Sequence, residues 1–400
     1  MKDNLEIYVH IPFCVKKCGY CDFLSFVGDE REQSQYVEAL VREIRYYGAL
    51  MKGREVSTIY IGGGTPSWLE AGLLIWILDE LRQNFQVAAD AEISMESNPG
   101  TITADKMKEY KRAGINRLSI GLQSTDDREL KLLGRIHTYD QFLRTYEMAR
   151  NAGFDNINVD LISGLPEQTA EKFAQTLSRV IRLKPEHISA YTLIIEKGTP
   201  FYDKYKFDAV KQHAGMPTEI LPDEDEAYRI YKMTQKMLTS AGYDQYEVSN
   251  YAKKGCACKH NLGYWSRENY LGMGLGASSL LDQIRYRNMT NLYSYIEETK
   301  EITTKELDGV LGLSIHESGE LLSHNAQMEE FMFLGLRKKE GIRRSDFEAC
   351  FGMTVESVFR DAIEQLKEEG LLETMSGMIR LTDRGMDLSN YAMAKFLLDS

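Results

Sequence analysis

The first half of the chain alternates between two hydrophobic periods. Short runs rich in β-branched and aromatic residues, at 5–11, 57–62, 92–97, 117–122, 156–161 and 187–194, read as strands. Between them, apolar residues recur at helical spacing over about 33–50, 68–85, 103–113, 138–152 and 169–182. This rhythm predicts parallel strands joined by right-handed crossovers. Six such units predict an α/β fold built as an open, partial (β/α)6 TIM-like barrel, since a closed one takes eight. At about 198 the rhythm breaks. Residues 198–226 read as an irregular insertion ending in Asp223-Glu224-Asp225-Glu226, a charge run suited to a solvated helix start. A helix follows to about 240, and the aromatic, glycine-rich stretch 245–300 continues the main domain.

Residues 324–385 read as three helices and a short hairpin turning at Ser376-Gly377, a pattern that resembles a winged helix. The division expected is a barrel at 1–240, an elaboration of it at 241–305 and a C-terminal winged-helix-like α+β domain at 306–400. The segment around the candidate recognition helix carries Glu356, Asp361, Glu364, Glu368 and Glu369. These charges repel phosphate, which favours a packing or partner-binding module over a DNA reader. The whole chain, at −12, is likewise ill suited to nucleic acid.

The ends of the strands carry the polar chemistry. Strand one runs into a cysteine loop, strand two into Gly62-Gly63-Gly64-Thr65-Pro66, and strand three into Glu96-Ser97-Asn98-Pro99. Strand four ends at Gln123-Ser124, and strand five at Asp160 followed by Gly164-Leu165-Pro166. Any one of these could be an ordinary turn. Together they fall on the C-terminal rim, where parallel α/β folds place their sites.

Cys14, Cys18 and Cys21 are spaced C-x3-C-x2-C. No apolar run reaches membrane length, and no apolar signal core follows the N-terminus, so a cytoplasmic, reducing location is expected. There, clustered thiols read as metal or redox ligands. Gaps of this length span at most roughly 13 and 10 Å, so the loop can curl around one inorganic body. Zinc completed by His10 or Cys258 is one reading, but structural zinc prefers paired short spacings, and Cys256-x-Cys258 is too tight for one. An iron–sulfur cube normally takes four cysteines, and three leave one iron open for a ligand.

With this spacing after the first strand, Tyr20 before the last thiol and the rim motifs, the chain resembles the radical S-adenosylmethionine (SAM) superfamily. The resemblance implies a [4Fe-4S] cluster on Cys14, Cys18 and Cys21, with the fourth iron chelated by the amino and carboxylate groups of SAM. One electron from the cluster would cleave SAM to methionine and a 5′-deoxyadenosyl radical, which implies a flavodoxin- or ferredoxin-like electron donor. It also implies that Gly63 and Gly64 meet the SAM amino group, with Thr65 following, and that Glu96 pairs with the same ammonium. Gln123, Arg135 and Asp160 match SAM-contacting positions, while Tyr8 and Tyr20 flank the cluster.

The words YVHIPFC, CGYCDF, IGGGTPS, ESNPG, GLQS, NVDLISGLP and HNLGYW, spanning 8–265, narrow the resemblance. They point to the group that holds oxygen-independent coproporphyrinogen III dehydrogenase and the HemW-type haem chaperones. The dehydrogenase is similar but has a further cysteine two after the third and a long N-terminal extension. Here Phe23 takes that position, and strand one begins almost at once. His260-Asn261-Leu262-Gly263-Tyr264-Trp265 fits the H-N-x-x-Y-W motif linked to haem binding in the chaperones. Imidazole or thiolate can ligate haem iron, so His260 is the expected axial ligand and Cys258 the other candidate. Cys256 and Cys350 carry no assigned role. The expected function is a chaperone that binds haem and passes it to acceptor proteins, a membrane-associated acceptor among them. A homodimer belongs to the same expectation, and no residue is given a catalytic role of its own. The alternative is radical decarboxylation of coproporphyrinogen III.

Overall fold

The structure, a computed structural model, describes residues 4–305 and 307–398. The six expected strands are β1 (Asn4–Ile11), β2 (Glu55–Gly63), β3 (Gln86–Ser97), β4 (Arg117–Gln123), β5 (Ile157–Ser163) and β6 (His187–Thr192). They pair in chain order, each parallel to the next, as the crossover rhythm requires.

The segment after 240 extends both edges of this core. On the β6 side it adds β7 (Asp244–Gln245) and β8 (Asn250–Ala252), with β8 antiparallel to β6. On the β1 side, β9 (Tyr270–Met273) joins β1 in parallel. Then β10 (Ser278–Leu281), β11 (Ile284–Asn288) and β12 (His316–Leu321) follow antiparallel. One sheet of 12 strands results, in the order β12-β11-β10-β9-β1-β2-β3-β4-β5-β6-β8-β7.

Strand residues alternate between two faces. In β1, Leu5, Ile7, Val9 and Ile11 are wholly buried in the main apolar core. The other face is polar through the barrel. Tyr8 pairs in register with Tyr60, Tyr60 with Ser94, Glu96 with Ser119, and Asp160 with Gly121 and Ser189. The polar atoms of this lumen satisfy one another: Asn158 Nδ2 donates to Ser119 Oγ (2.7 Å), and His187 Nδ1 meets Asn158 Oδ1 (2.6 Å).

Two expectations need correction. The stretch 198–226 is not irregular throughout, because Pro200–His213 is a helix. Thr199 caps it, its hydroxyl accepting from Tyr202 N–H, and proline stands in its first turn, where no N–H is needed. No apolar stripe announced it: Phe201 and Tyr205 are buried while Phe207 and Val210 are exposed. The acidic run does start a helix, Glu224–Ser240, with Asp223 accepting from Glu226 N–H.

The second correction concerns the last unit. β12 lies inside the segment expected to be separate, yet it pairs with β11 in the main sheet. A distinct core, which includes Met332, Leu336, Phe347, Leu366 and Ile379, begins only at Met328. The boundary drawn at 306 falls on a residue outside the described ones. Beyond it come the three expected helices, His324–Gly335, Arg344–Phe351 and Val355–Glu368. The hairpin β14 (Leu372–Met375)–β15 (Met378–Leu381) turns at Ser376 (φ 51) and Gly377 (φ 81), and β13 (Ile342–Arg343) flanks it. This is the winged-helix-like arrangement expected. Glu330 of its first helix takes both Arg267 (3.0 Å) and Arg285 (2.6 Å) from the main domain.

Candidate functional site

The cysteine loop is fixed before any ligand is considered. Phe13, wholly buried, stands edge-on to Phe26 and Tyr36 at 5.5 and 5.4 Å. Cys14 N–H donates to Phe26 O (2.9 Å), and Gly19 joins its backbone to Leu133 and Phe201 (3.1 and 2.9 Å). Cys14, Cys18 and Cys21 are free, half-buried thiols lining one cavity of about 420 Å³ at the C-terminal ends of the strands. Among the described residues no three His, Cys, Asp or Glu side chains converge on a single-ion site.

The glycines bring backbone against this loop. Gly64 N–H donates to Ile11 O (2.7 Å), and a Cβ on Gly64 would lie 2.7 Å from Phe13 O. Gly63 adopts φ +111, where a side chain is strained, and a Cβ there would fall on the His10 ring. Thr65 Oγ1 points at Cys14 Sγ (3.4 Å).

Of the rim residues expected from the sequence, Tyr20, Gly63, Gly64, Thr65, Glu96, Gln123, Arg135 and Asp160 all line this cavity. Glu96 accepts from Gly63 N–H (3.1 Å) and Tyr60 OH (3.0 Å). Burial, and then the nearby Asp160, raise its carboxyl to about 7. Burial also raises Asp160, against hydrogen bonds from Ser119 (2.9 Å) and Asn158 (2.7 Å). Arg135 donates to Asn98 Oδ1 (2.5 Å) and Gly121 O (2.6 Å) and reaches toward Cys18 Sγ (3.8 Å). Burial works against its charge, but Tyr20 and Cys18 more than offset that, so its pKa is raised. Its Nε is buried without a partner. Gln123 holds a left-handed φ of 72 where the β4–β5 register shifts, a strained position for a non-glycine residue.

Tyr8 is placed differently from expectation. It lies two residues before His10 on the inward face and lines a neighbouring cavity of about 530 Å³. Tyr60, on which it stacks at 6.3 Å, takes the place beside Glu96. Tyr60 and Asn98 are among the lining residues to which the sequence assigned no role. Asn98 links Thr65 Oγ1 (2.8 Å) to Arg135. The signal for Tyr60 is its period-two spacing from Gly62, and Asn98 lies inside the rim word ESNPG.

The imidazole expected to meet haem iron is deeply buried. The helix Lys259–Trp265 closes the end of the lumen opposite the cysteines, and Glu92 accepts from Lys259 N–H (3.1 Å) and His260 N–H (3.4 Å). His260 is 1% exposed. Its Nδ1 meets Thr58 Oγ1 (2.7 Å), its Nε2 meets Tyr264 OH (3.0 Å), and Tyr60 stacks on its face (5.2 Å). Burial, with Arg117 nearby, lowers its pKa to about 3. The 3.9 Å approach to Glu6 is no ion pair, because burial, with Glu268 and Glu92, holds that carboxyl protonated up to about 9. As arranged, His260 offers iron no free lone pair. Cys258 fares no better: it is wholly buried, its thiol faces Glu92 (3.4 Å), and burial pushes its pKa up to about 12. Tyr264 and Trp265, by contrast, line the 530 Å³ cavity, and Asp22 and Phe23 line both cavities.

Residues 8–180 match the radical SAM superfamily, and residues 322–388 match the HemN C-terminal domain. Over 392 residues the chain is 35% identical to the haem chaperone HemW of Lactococcus lactis, covering 98% of this chain and 97% of that protein. The figure for HemW of Escherichia coli is 37% over 396 residues, covering 99% and 98%. The chain belongs to the HemW haem chaperone family of radical SAM proteins. Among solved structures, coproporphyrinogen III oxidase (HemN) from Escherichia coli, a radical SAM enzyme, superposes with a TM-score of 0.83. It is 27% identical and covers 99% of this chain and 90% of that one. Family membership implies a [4Fe-4S] cluster and SAM. The residues present fit both: three free soft donors, a glycine backbone packed against the cysteine loop and lining the cavity, a buried carboxyl, and an arginine with an unpartnered Nε on the same cavity. Among the described residues no helix is long and apolar enough to cross a membrane.

Proposed function

We propose that the chain is a haem carrier that binds haem and hands it to an acceptor protein. The observation that carries this is full-length similarity to proteins named haem chaperones, joined to a second cavity walled by the Tyr-Trp of HNLGYW. In this reading Cys14, Cys18 and Cys21 hold the cluster, which when bound supplies one-electron chemistry at low potential. Glu96 and the Gly63–Thr65 backbone take the SAM ammonium. Arg135 faces its carboxylate, and Gln123, Asp160 and Tyr20 wall the cavity. A flavodoxin- or ferredoxin-like donor, a membrane-associated acceptor, a cytoplasmic location and a homodimer belong to the same proposal. So does a division into a barrel with edge extensions, running through β12, and a C-terminal unit after it.

The test is anaerobic reconstitution followed by haemin titration and mixing with an apo-haemoprotein. A saturable Soret band that moves to the acceptor is the expected result. A chain that stays colourless with haemin ends the proposal. The dehydrogenase reading has one observation of its own, the 0.83 TM-score with HemN. Protoporphyrinogen formed from coproporphyrinogen III with reduced donor and SAM would establish it.

A further inference from the structure

The 530 Å³ cavity falls within the size range of cofactor clefts, about 300–1,000 Å³. Its construction points to a particular chemistry. One wall is a continuous sheet face. Ser278 pairs with Arg287 and Leu280 with Arg285 across the β10–β11 hairpin, and Leu280 pairs with Tyr270 of β9. Directly paired residues share a face, so both arginines stand on the cavity side, two positions apart and therefore about 7 Å apart along the strand. Apolar side chains share this lining: Trp265, Leu24 of the cysteine loop and Leu334 of the C-terminal unit.

The two guanidiniums differ. Arg285 is held by Glu330 (2.6 Å) and fixed in place. Arg287 is exposed and has no ion-pair partner among the described residues. Asp22 is the acidic side chain among the cavity's lining residues, and Glu330 behind Arg285 is already shared with Arg267. Apolar side chains and two cations two positions apart on one strand, lining one cleft, match a flat apolar molecule with two carboxylates on one edge.

Resting on the haem reading above, we infer that this cleft seats a tetrapyrrole with its propionate edge on the hairpin, Arg287 making the principal anion contact and Arg285 the second. Arginine suits this, since its planar fork binds a carboxylate through two parallel hydrogen bonds. The inference gives cargo orientation to β10–β11, a segment outside every motif of the sequence.

The test uses the full chain, titrated with haemin and with haemin dimethyl ester, whose propionates carry no charge. The wild type should bind haemin more than about tenfold more tightly than the ester, because the ester forfeits both arginine contacts and each charge-assisted contact at a part-exposed site is worth about tenfold or less. Arg287→Gln should lose about tenfold on haemin and under twofold on the ester. Arg287→Lys, which keeps the charge without the fork, should fall between. Thermal unfolding and SAM binding of Arg287→Gln should match the wild type. A wild type that binds both forms equally, or an Arg287→Gln that weakens both equally or neither, overturns this inference and leaves the carrier reading standing. A wild type that binds neither overturns both.

Discussion

His260→Ala separates two roles for the motif histidine. If the imidazole ligates iron, its loss should change the haem spectrum and leave the apo fold nearly intact. The structure predicts the reverse. The substitution removes a ring that is 1% exposed, leaves the Tyr264 hydroxyl without its partner and takes one of its partners from Thr58 (1% exposed). A buried hydroxyl left unpaired costs about 1–3 kcal/mol. The lost stacking on Tyr60 adds about 0.5–1.5 kcal/mol. After partial relaxation the expected destabilisation is about 3–4 kcal/mol, within the range for emptying a large buried site.

Urea unfolding of the apo chain reads this directly, with haemin titrated in parallel. The midpoint should fall sharply, and the Soret maximum of whatever haem still binds should not move. A pH series adds a second readout. With the folded pKa lowered to about 3, the unfolded chain takes up a proton below pH 6.5 that the folded chain refuses. Stability from this group is therefore present above pH 6.5 and lost as pH falls toward 3, by about 1.4 kcal/mol per unit. His260→Ala should lack this slope. An unchanged midpoint together with a shifted Soret band would refute the positioning role and restore axial ligation.

Four further outcomes follow from the same geometry. Cys18→Ser should abolish the visible iron–sulfur absorbance after reconstitution while circular dichroism is preserved, since Gly19 and not the thiol ties the loop to Leu133. SAM affinity should rise between pH 6 and 8 as Glu96, raised to about 7, becomes the carboxylate that pairs with an ammonium, and fall about tenfold per unit below that; Glu96→Gln should be flat in equilibrium binding. Gly263→Ala drives a methyl into the Glu6 carboxyl and should displace the Tyr264–Trp265 wall, costing several-fold in haemin affinity as well as about 1–3 kcal/mol in urea unfolding. Phe23→Ala, at a side chain 64% exposed, should leave stability within about 0.5 kcal/mol yet weaken haemin binding, measured by the same Soret titration.

What the sequence made legible follows its periodicity. Six strands and five crossover helices were readable because apolar residues repeat every two or every 3.6 positions. The rim was readable because each motif directly follows a strand. The helix Pro200–His213 was hidden because its exposed Phe207 and Val210 imitate core residues. The surroundings of Tyr8 and His260 were illegible for a different reason. A motif gives residue type and spacing, but not which side of a strand faces which cavity, nor which end of the barrel a helix closes. The second cavity was invisible as a unit. Its walls come from β1, the cysteine loop, the helix Lys259–Trp265, the β10–β11 hairpin and the helix His324–Gly335, and only the fold brings these together.

Phe23 connects the two halves of this reading. The position where the dehydrogenase resemblance would have a cysteine is not on the cluster side alone, because Asp22 and Phe23 border both cavities. The backbone there is pinned independently of the side chain, with Phe23 O accepting from Lys17 Nζ (3.0 Å) and Ser25 Oγ (3.4 Å). The side chain is thus free to be chosen for what it faces. A thiol at this point would add a fourth soft donor beside an already sufficient set of three. A phenyl ring instead gives the shared wall an apolar surface, which a flat hydrophobic cargo needs and a cluster does not. The motif residues reach the same wall by another route, since His260 holds Tyr264 by hydrogen bond and leans on Tyr60, which donates to Glu96 on the rim. The histidine contributes to both cavities by fixing the residues between them, which is why its burial and its place in a haem-linked motif are compatible.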